Sequence, residues 1–148
     1  MAVFSKITVQ EINEFNKFKT EAAFSGISTA LATNGASTAT YGAYFEMPEA
    51  GEKYLILAQN VAASGDDKTV TIKAGNGIQG VNDIAKTDLG FGEYTLVCID
   101  SGRFKNVSEN NTLKALSSST SGTQVSAKGK VFITGTDANI KVAVFKLA

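Results

Sequence analysis

The run of the chain richest in chemical potential is AGNGIQG, in which Gly75, Gly77 and Gly80 satisfy G-x-G-x-x-G directly after a strand-like segment. In a dinucleotide-binding unit this spacing lets the backbone approach a pyrophosphate held at the N-terminus of the next helix, and an acid about 20 residues on binds a ribose. Asp100 stands near that distance, but the segment that follows, VNDIAKTDLGFGEY, is studded with turn residues where the helix should begin. The run therefore reads as a glycine-rich loop or bulge leaving a sheet, and no cofactor is expected. Asp66 with Asp67, and Asp83 with Asp88, offer the hard oxygen ligands that calcium prefers. No D-x-D-x-D-G loop gathers them, and Asp favours turns for backbone reasons alone, so no metal site is assigned. Cys98 is the single cysteine and has no histidine to activate it, which points to a buried, inert thiol. Ser126 with Lys128 is a chance spacing in a polar segment, and no two of the 14 acids stand out as a glycosidase pair.

Composition narrows the field further. With no His, the chain has no His-based triad, histidine metal site or histidine pH switch. One cysteine excludes an intramolecular disulfide and any multi-cysteine zinc site. Fourteen basic residues balance fourteen acidic ones, so the excess positive charge on which phosphate-backbone binding depends is lacking, and no nucleic-acid partner is expected. The N-terminus MAVFSKITVQEINEF lacks the form of a secretion signal, and no apolar stretch approaches the roughly 18 residues of a membrane helix. The expectation is synthesis in the cytoplasm and no membrane partner. Catalysis is not expected.

The elements that must position these residues read as strands. Lys68 to Lys73 alternates, with Val70 and Ile72 on one face and Thr69, Thr71 and Lys73 on the other. Tyr54 to Val61 is apolar on both faces, and the intervening AASGDD suits a reversal, so Tyr54 to Lys73 reads as a β-hairpin. Strands are also expected at Thr40 to Met47, Glu93 to Ile99, Lys130 to Thr134 and Asn139 to Leu147, the last two as a second hairpin through GTDA. In the final strand Ile140, Val142 and Val144 share one face. Phe145 and Leu147 fall on the other, so that strand is either covered twice or offers an apolar edge.

Thr8 to Phe24 admits two readings. Thr8 as N-cap, Glu11, and a stripe of Ile12, Phe15, Phe18 and Ala22 fit a helix, whereas Phe4, Ile7, Val9 and Ile12 equally fit an arm lying along a neighbouring subunit. Segments 26–39 and 117–123 read as flexible. The fold class is all-β: one β-sandwich domain over residues 1–148, jelly-roll or Ig-like, of about seven to eight strands, with 1–25 as an N-terminal arm or short helix. Its expected core is Phe45, Leu55, Leu57, Val70, Ile72, Leu96, Cys98, Val131, Ile133, Val142 and Val144. Arg103, the only arginine, stands beside Phe104 and Lys105 in SGRFKN. Arg next to an aromatic ring suits an interface, and equally suits a strand edge guarded by charge. The chain also holds the ingredients of a Lys to Asn isopeptide bond, which requires a buried Lys, an Asn and an acid together.

The stretches KAGNGIQGVNDI, DSGRFKNV and the closing IKVAVFKL, within residues 54–148, resemble small virion proteins of tailed phages infecting Gram-positive bacteria. Residues 1–53 match no such pattern. The resemblance implies a non-enzymatic structural protein of the capsid decoration or head-fibre-like kind, with a β-sandwich fold and a place on the capsid surface of the virion. Its implied partner is the major capsid protein, with self-association into a homo-oligomer as a further expectation. The interface is then expected at Phe4, Ile7, Val9 and Ile12 and at Arg103, Phe104 and Lys105. The alternative is a carbohydrate- or host-surface-binding module on a tail or fibre, poorly supplied with stacking faces by nine Phe, four Tyr and no Trp.

Overall fold

The computed structural model of the chain describes residues 5–12, 25–26, 28–32, 39–80, 82–108, 127–136 and 139–147. The elements are β1 (Ser5–Lys6), β2 (Val9–Ile12), β3 (Ser25–Gly26), β4 (Ser28–Ala32), β5 (Ala39–Glu46), β6 (Lys53–Asn60), β7 (Lys68–Ile72), β8 (Ile84–Leu89), β9 (Tyr94–Asp100), a single helical turn α1 (Ser101–Phe104), β10 (Lys130–Gly135) and β11 (Ile140–Leu147). They form two sheets. The first runs β1-β5-β10-β7-β8 with β4 also on β5, and the second runs β2-β11-β6-β9 with β3 also on β11. The protein is an all-β sandwich, as its strand-rich patterning implied.

Alternation in sequence becomes a core because a strand sends successive side chains to opposite faces. Ala43 and Phe45 of β5, Ile56 of β6, Val70 and Ile72 of β7, Val131 and Ile133 of β10, and Ile140, Val142 and Val144 of β11 are buried together between the sheets. Phe45 meets the ring of Tyr54 at 5.5 Å between centroids.

Seven of the ten links between the described strands cross the gap between sheets rather than reversing within one. β1 passes to β2, β3 to β4, β5 to β6, β6 to β7, β8 to β9, β9 to β10 and β10 to β11, each time changing sheet. This corrects both expected hairpins. β6 pairs with β11 and β9, and β7 with β10 and β8, so the AASGDD link is an arch over the sandwich. β10 likewise pairs with β5 and β7 while β11 pairs with β6. Turn residues mark where the chain reverses, and the sheet it joins next is decided by which face must be buried.

The N-terminal helix is corrected where it can be compared. Residues 9–12 form a strand parallel to the end of β11, with Val9 opposite Val144 and Ile12 opposite Leu147. Residues 13–24 lie outside the described residues. β1 runs parallel to β5, so the chain crosses from one sheet to the other between Lys6 and Val9. Ile7 sits at that crossing, 2% exposed, its amide donating to the Tyr44 carbonyl at 2.8 Å. Gly26, Ser28–Ala32 and Ala39, within a segment read as flexible, lie in strands, whereas 117–123 fall outside the described residues.

The other correction concerns which face of β6 and β9 is inside. Tyr54, Ile56, Ala58 and Ile99 are buried, whereas Leu96 is 64% exposed, Cys98 is exposed, and Leu55 and Leu57 are half-buried on the outer face. Replacing a buried branched chain leaves a cavity, whereas replacing an exposed one does not. Ile133→Ala should therefore lose about 2–5 kcal/mol in urea unfolding, and Leu96→Ala should stay within about 0.5 kcal/mol of the parent.

Candidate functional site

One end of the sandwich gathers the segments 48–52, 73–80, 82–83 and 101–108, and two of the distinctive sequence stretches meet there. The Gly75 amide donates to the Arg103 carbonyl at 2.8 Å. The Asn76 carboxamide oxygen accepts from the amides of Val107 (2.7 Å) and Ser108 (3.2 Å), and its nitrogen donates to the Ser108 carbonyl at 3.0 Å. Gly102 lies against the Gln79 side chain. The glycine-rich run and the SGRFKN segment are thus one structural unit.

The glycines serve that closeness. A methyl group on Gly75 would strike the Lys105 carbonyl, and one on Gly80 would strike the carbonyl of Gly75. At Gly77 an added carbon would meet only the Val107 methyls, at 3.5 and 3.6 Å, an ordinary contact. A nucleotide site needs its middle glycine bare so that the backbone can approach phosphate. Gly77 has that room, but a strand, β8, follows in place of the helix whose N-terminus would hold the phosphate.

Asp100 caps α1, its Oδ1 accepting from the Arg103 amide at 3.1 Å. Arg103 is exposed, its guanidinium 5.2 Å from the centre of the Phe104 ring. Phe104 itself is buried in the core, and Lys105 is half-buried with its ammonium donating to the Glu49 carbonyl at 3.0 Å. Of the three expected interface residues in this segment, Arg103 alone faces solvent fully. Sequence reasoning missed Ile78, which projects fully exposed from the glycine-rich run, and Val107, 57% exposed beside it. An apolar residue at the tip of a loop otherwise made of Gly, Asn and Gln was the available signal.

The expected N-terminal contact residues are divided. Phe4 lies outside the described residues, Ile7 is committed to the protein's own core, Val9 packs partly against that core, and Ile12 is 37% exposed. An arm free to lie along a neighbour is not what residues 5–12 form. They close one side of the sandwich instead.

Beneath the 48–52 loop lies the buried acid Glu52. Its Oε2 accepts from the Tyr54 hydroxyl at 2.8 Å and its Oε1 pairs with the Lys146 ammonium at 2.7 Å. Burial alone would raise the Glu52 carboxyl. The hydrogen bonds from Lys146, Tyr54 and the Glu49 amide outweigh it and hold the group below its ordinary 4.5. Burial, then the bond to Glu52, push the Tyr54 phenol up. The buried asparagines bond elsewhere, Asn60 to the Leu89 carbonyl and the Ala62 amide, and Asn106 to the Lys130 carbonyl, so the Lys–acid pair does not have one of them as its hydrogen-bond partner. Asp83 pairs with Lys73 at 2.5 Å and Asp88 with Lys86 at 2.6 Å. Among the described residues no three His, Cys, Asp or Glu side chains gather as a metal site, and no helix is long and apolar enough to cross a membrane.

No family model, curated protein or solved structure matches the chain.

Two outcomes follow from this geometry. Gly75→Ala and Gly80→Ala should each cost about 1–3 kcal/mol through overpacking, with Gly77→Ala nearly neutral, as read by thermal unfolding of the three variants. Because the folded Glu52 carboxyl lies below its unfolded value, its contribution is complete above pH 4.5 and is lost as pH falls through the depressed folded value. The slope of stability against pH in that acid window should therefore flatten in Glu52→Gln, measured by urea titrations at several pH values.

Proposed function

We propose that the protein is a non-enzymatic structural component of a tailed-phage virion, a capsid decoration protein that binds the major capsid protein on the assembled head. The observation that carries this reading is the meeting of the glycine-rich run with the SGRFKN segment at one end of the sandwich. Both belong to the stretches that resemble phage virion proteins, and together they present Ile78, Val107 and Arg103 to solvent. An exposed apolar tip beside an arginine is the composition that interfaces favour at their energetic centre. A shell repeats its sites many times, so modest contacts made by many copies stabilise the assembled form over free subunits by mass action.

The jelly-roll form of the sandwich belongs to the same reading. Change of sheet at seven of the ten links between described strands favours it over an Ig-like arrangement, in which more consecutive strands stay within one sheet. Exposed Phe91 and Tyr94 at the opposite end are what favours the alternative, a glycan-binding module on a tail or fibre.

The test is to mix the purified protein with undecorated heads and count copies per particle by mass spectrometry and imaging. Saturation at an integer multiple of the capsid symmetry is expected, with Ile78→Asp combined with Arg103→Ala lowering apparent affinity by about tenfold or more. Absence of head binding, with a hit in a glycan screen, would replace this reading by the alternative.

A further inference from the structure

The two sides of the sandwich differ. On one, the crossing between β1 and β2 straps the sheets together with Ile7 as its plug. On the other, β8 and β9 are the outermost strands of their sheets, joined by the short link Gly90–Glu93 at one end. Between them an apolar cleft of about 280 Å³ opens, walled by Ile56, Val70, Ile72, Ile84 and Val97.

β9 is an unusual edge. Among the described strands it pairs with β6 on one side and with none on the other. Natural edge strands are blunted by lysine, proline or bulges. From Tyr94 to Ile99 the sequence YTLVCI contains no charge and no proline, and its pairing with β6 runs residue by residue without a register shift. The outward-facing Tyr94 and Leu96 are 60% and 64% exposed, and Cys98 is exposed beside them. The β8 edge, by contrast, carries Lys86 and Asp88 and a register shift against β7.

We propose that β9 is the joint of a two-fold dimer, pairing antiparallel with β9 of a second copy of this chain so that the second sheet continues across both. An antiparallel edge is complementary to itself under a two-fold axis, which makes another copy the partner that needs no further matching. Charge points the same way. The only charge on β9 is Asp100 at its end, and antiparallel pairing sets the two copies of it at opposite ends of the joint. The whole chain carries no net charge to repel a second copy. Continuing the sheet in this way sets the partner's β9 beside the open side of the cleft between β8 and β9.

This joint runs along the edge of β9 and uses none of Ile78, Val107 and Arg103, so it does not rest on the virion reading. Either can fail alone. Light scattering on the full chain from about 1 to about 100 µM should give twice the 15.5 kDa chain mass at the upper end of the range. Leu96→Lys and Tyr94→Lys place a charge on an exposed position of the edge and should return the mass to that of one chain, with circular dichroism unchanged. A short bismaleimide should link Cys98 to Cys98 in the parent and lose that covalent dimer in Leu96→Lys. A parent that stays at 15.5 kDa throughout, or a dimer that persists in both lysine variants, would overturn the proposal.

Discussion

Two sheets with no disulfide to tie them are held by contact between their inner faces, and nearly every other feature follows from keeping that contact dry. A buried aliphatic side chain contributes about 1.5–3 kcal/mol relative to its exposed state. Chains such as Val131, Ile133, Val142 and Val144 reach that condition only if two sheets close on each other. The arches serve this requirement. By changing sheet at most links, the chain places consecutive apolar faces opposite one another instead of side by side. Two of the buried polar side chains obey the same constraint, since Glu52 and Asn60 carry hydrogen bonds to Tyr54 and to backbone groups respectively, whereas the Asn106 side chain is bonded through its nitrogen alone.

Much of this was legible in residue order, and the failures have a common origin. β7 was readable because its inner and outer faces differ sharply, Val70 and Ile72 against Thr69 and Thr71. β11 was readable as a strand by length and composition, although Ala143 and Phe145 on its second face are buried as well. β6 and β9 carry apolar residues on both faces, so period two locates the strand without saying which side is in. The choice was made by groups that a hydropathy reading undervalues. Tyr54 faces inward because its hydroxyl finds Glu52, and that one orientation turns Leu55 and Leu57 outward and, through the pairing with β9, Leu96 and Cys98 as well. β8 escaped notice because an edge strand needs little apolar character, and IAKTDL has little. The helix reading of the N-terminus followed a stripe that began at Ile12, whereas residues 5–12 are claimed by the open edges of β5 and β11.

The glycine-rich run shows how a motif and its surroundings can part company. Its spacing is that of a phosphate cradle, yet the element that follows is the strand β8 where a cradle needs a helix, and the first and third glycines let the run pack against the chain's own backbone. The candidate site was therefore visible in sequence as two separate stretches. Their meeting was not, because contacts between residues some thirty positions apart, such as Asn76 with Val107 and Ser108, leave no local trace.

The strap formed by β1 and β2 also orders events in time. Val9 pairs with Val144 and Ile12 with Leu147, so β2 waits for β11, far along the chain, before it can be held in place. Until then the second sheet lacks an outer neighbour along that part of β11, and the sandwich is open on both sides. Non-local pairing of this kind slows folding because loop entropy must be lost before contacts repay it. Before the strap closes, the chain is a partly assembled sandwich with exposed edges, and closure of the strap is the step that separates the native fold from its late precursor.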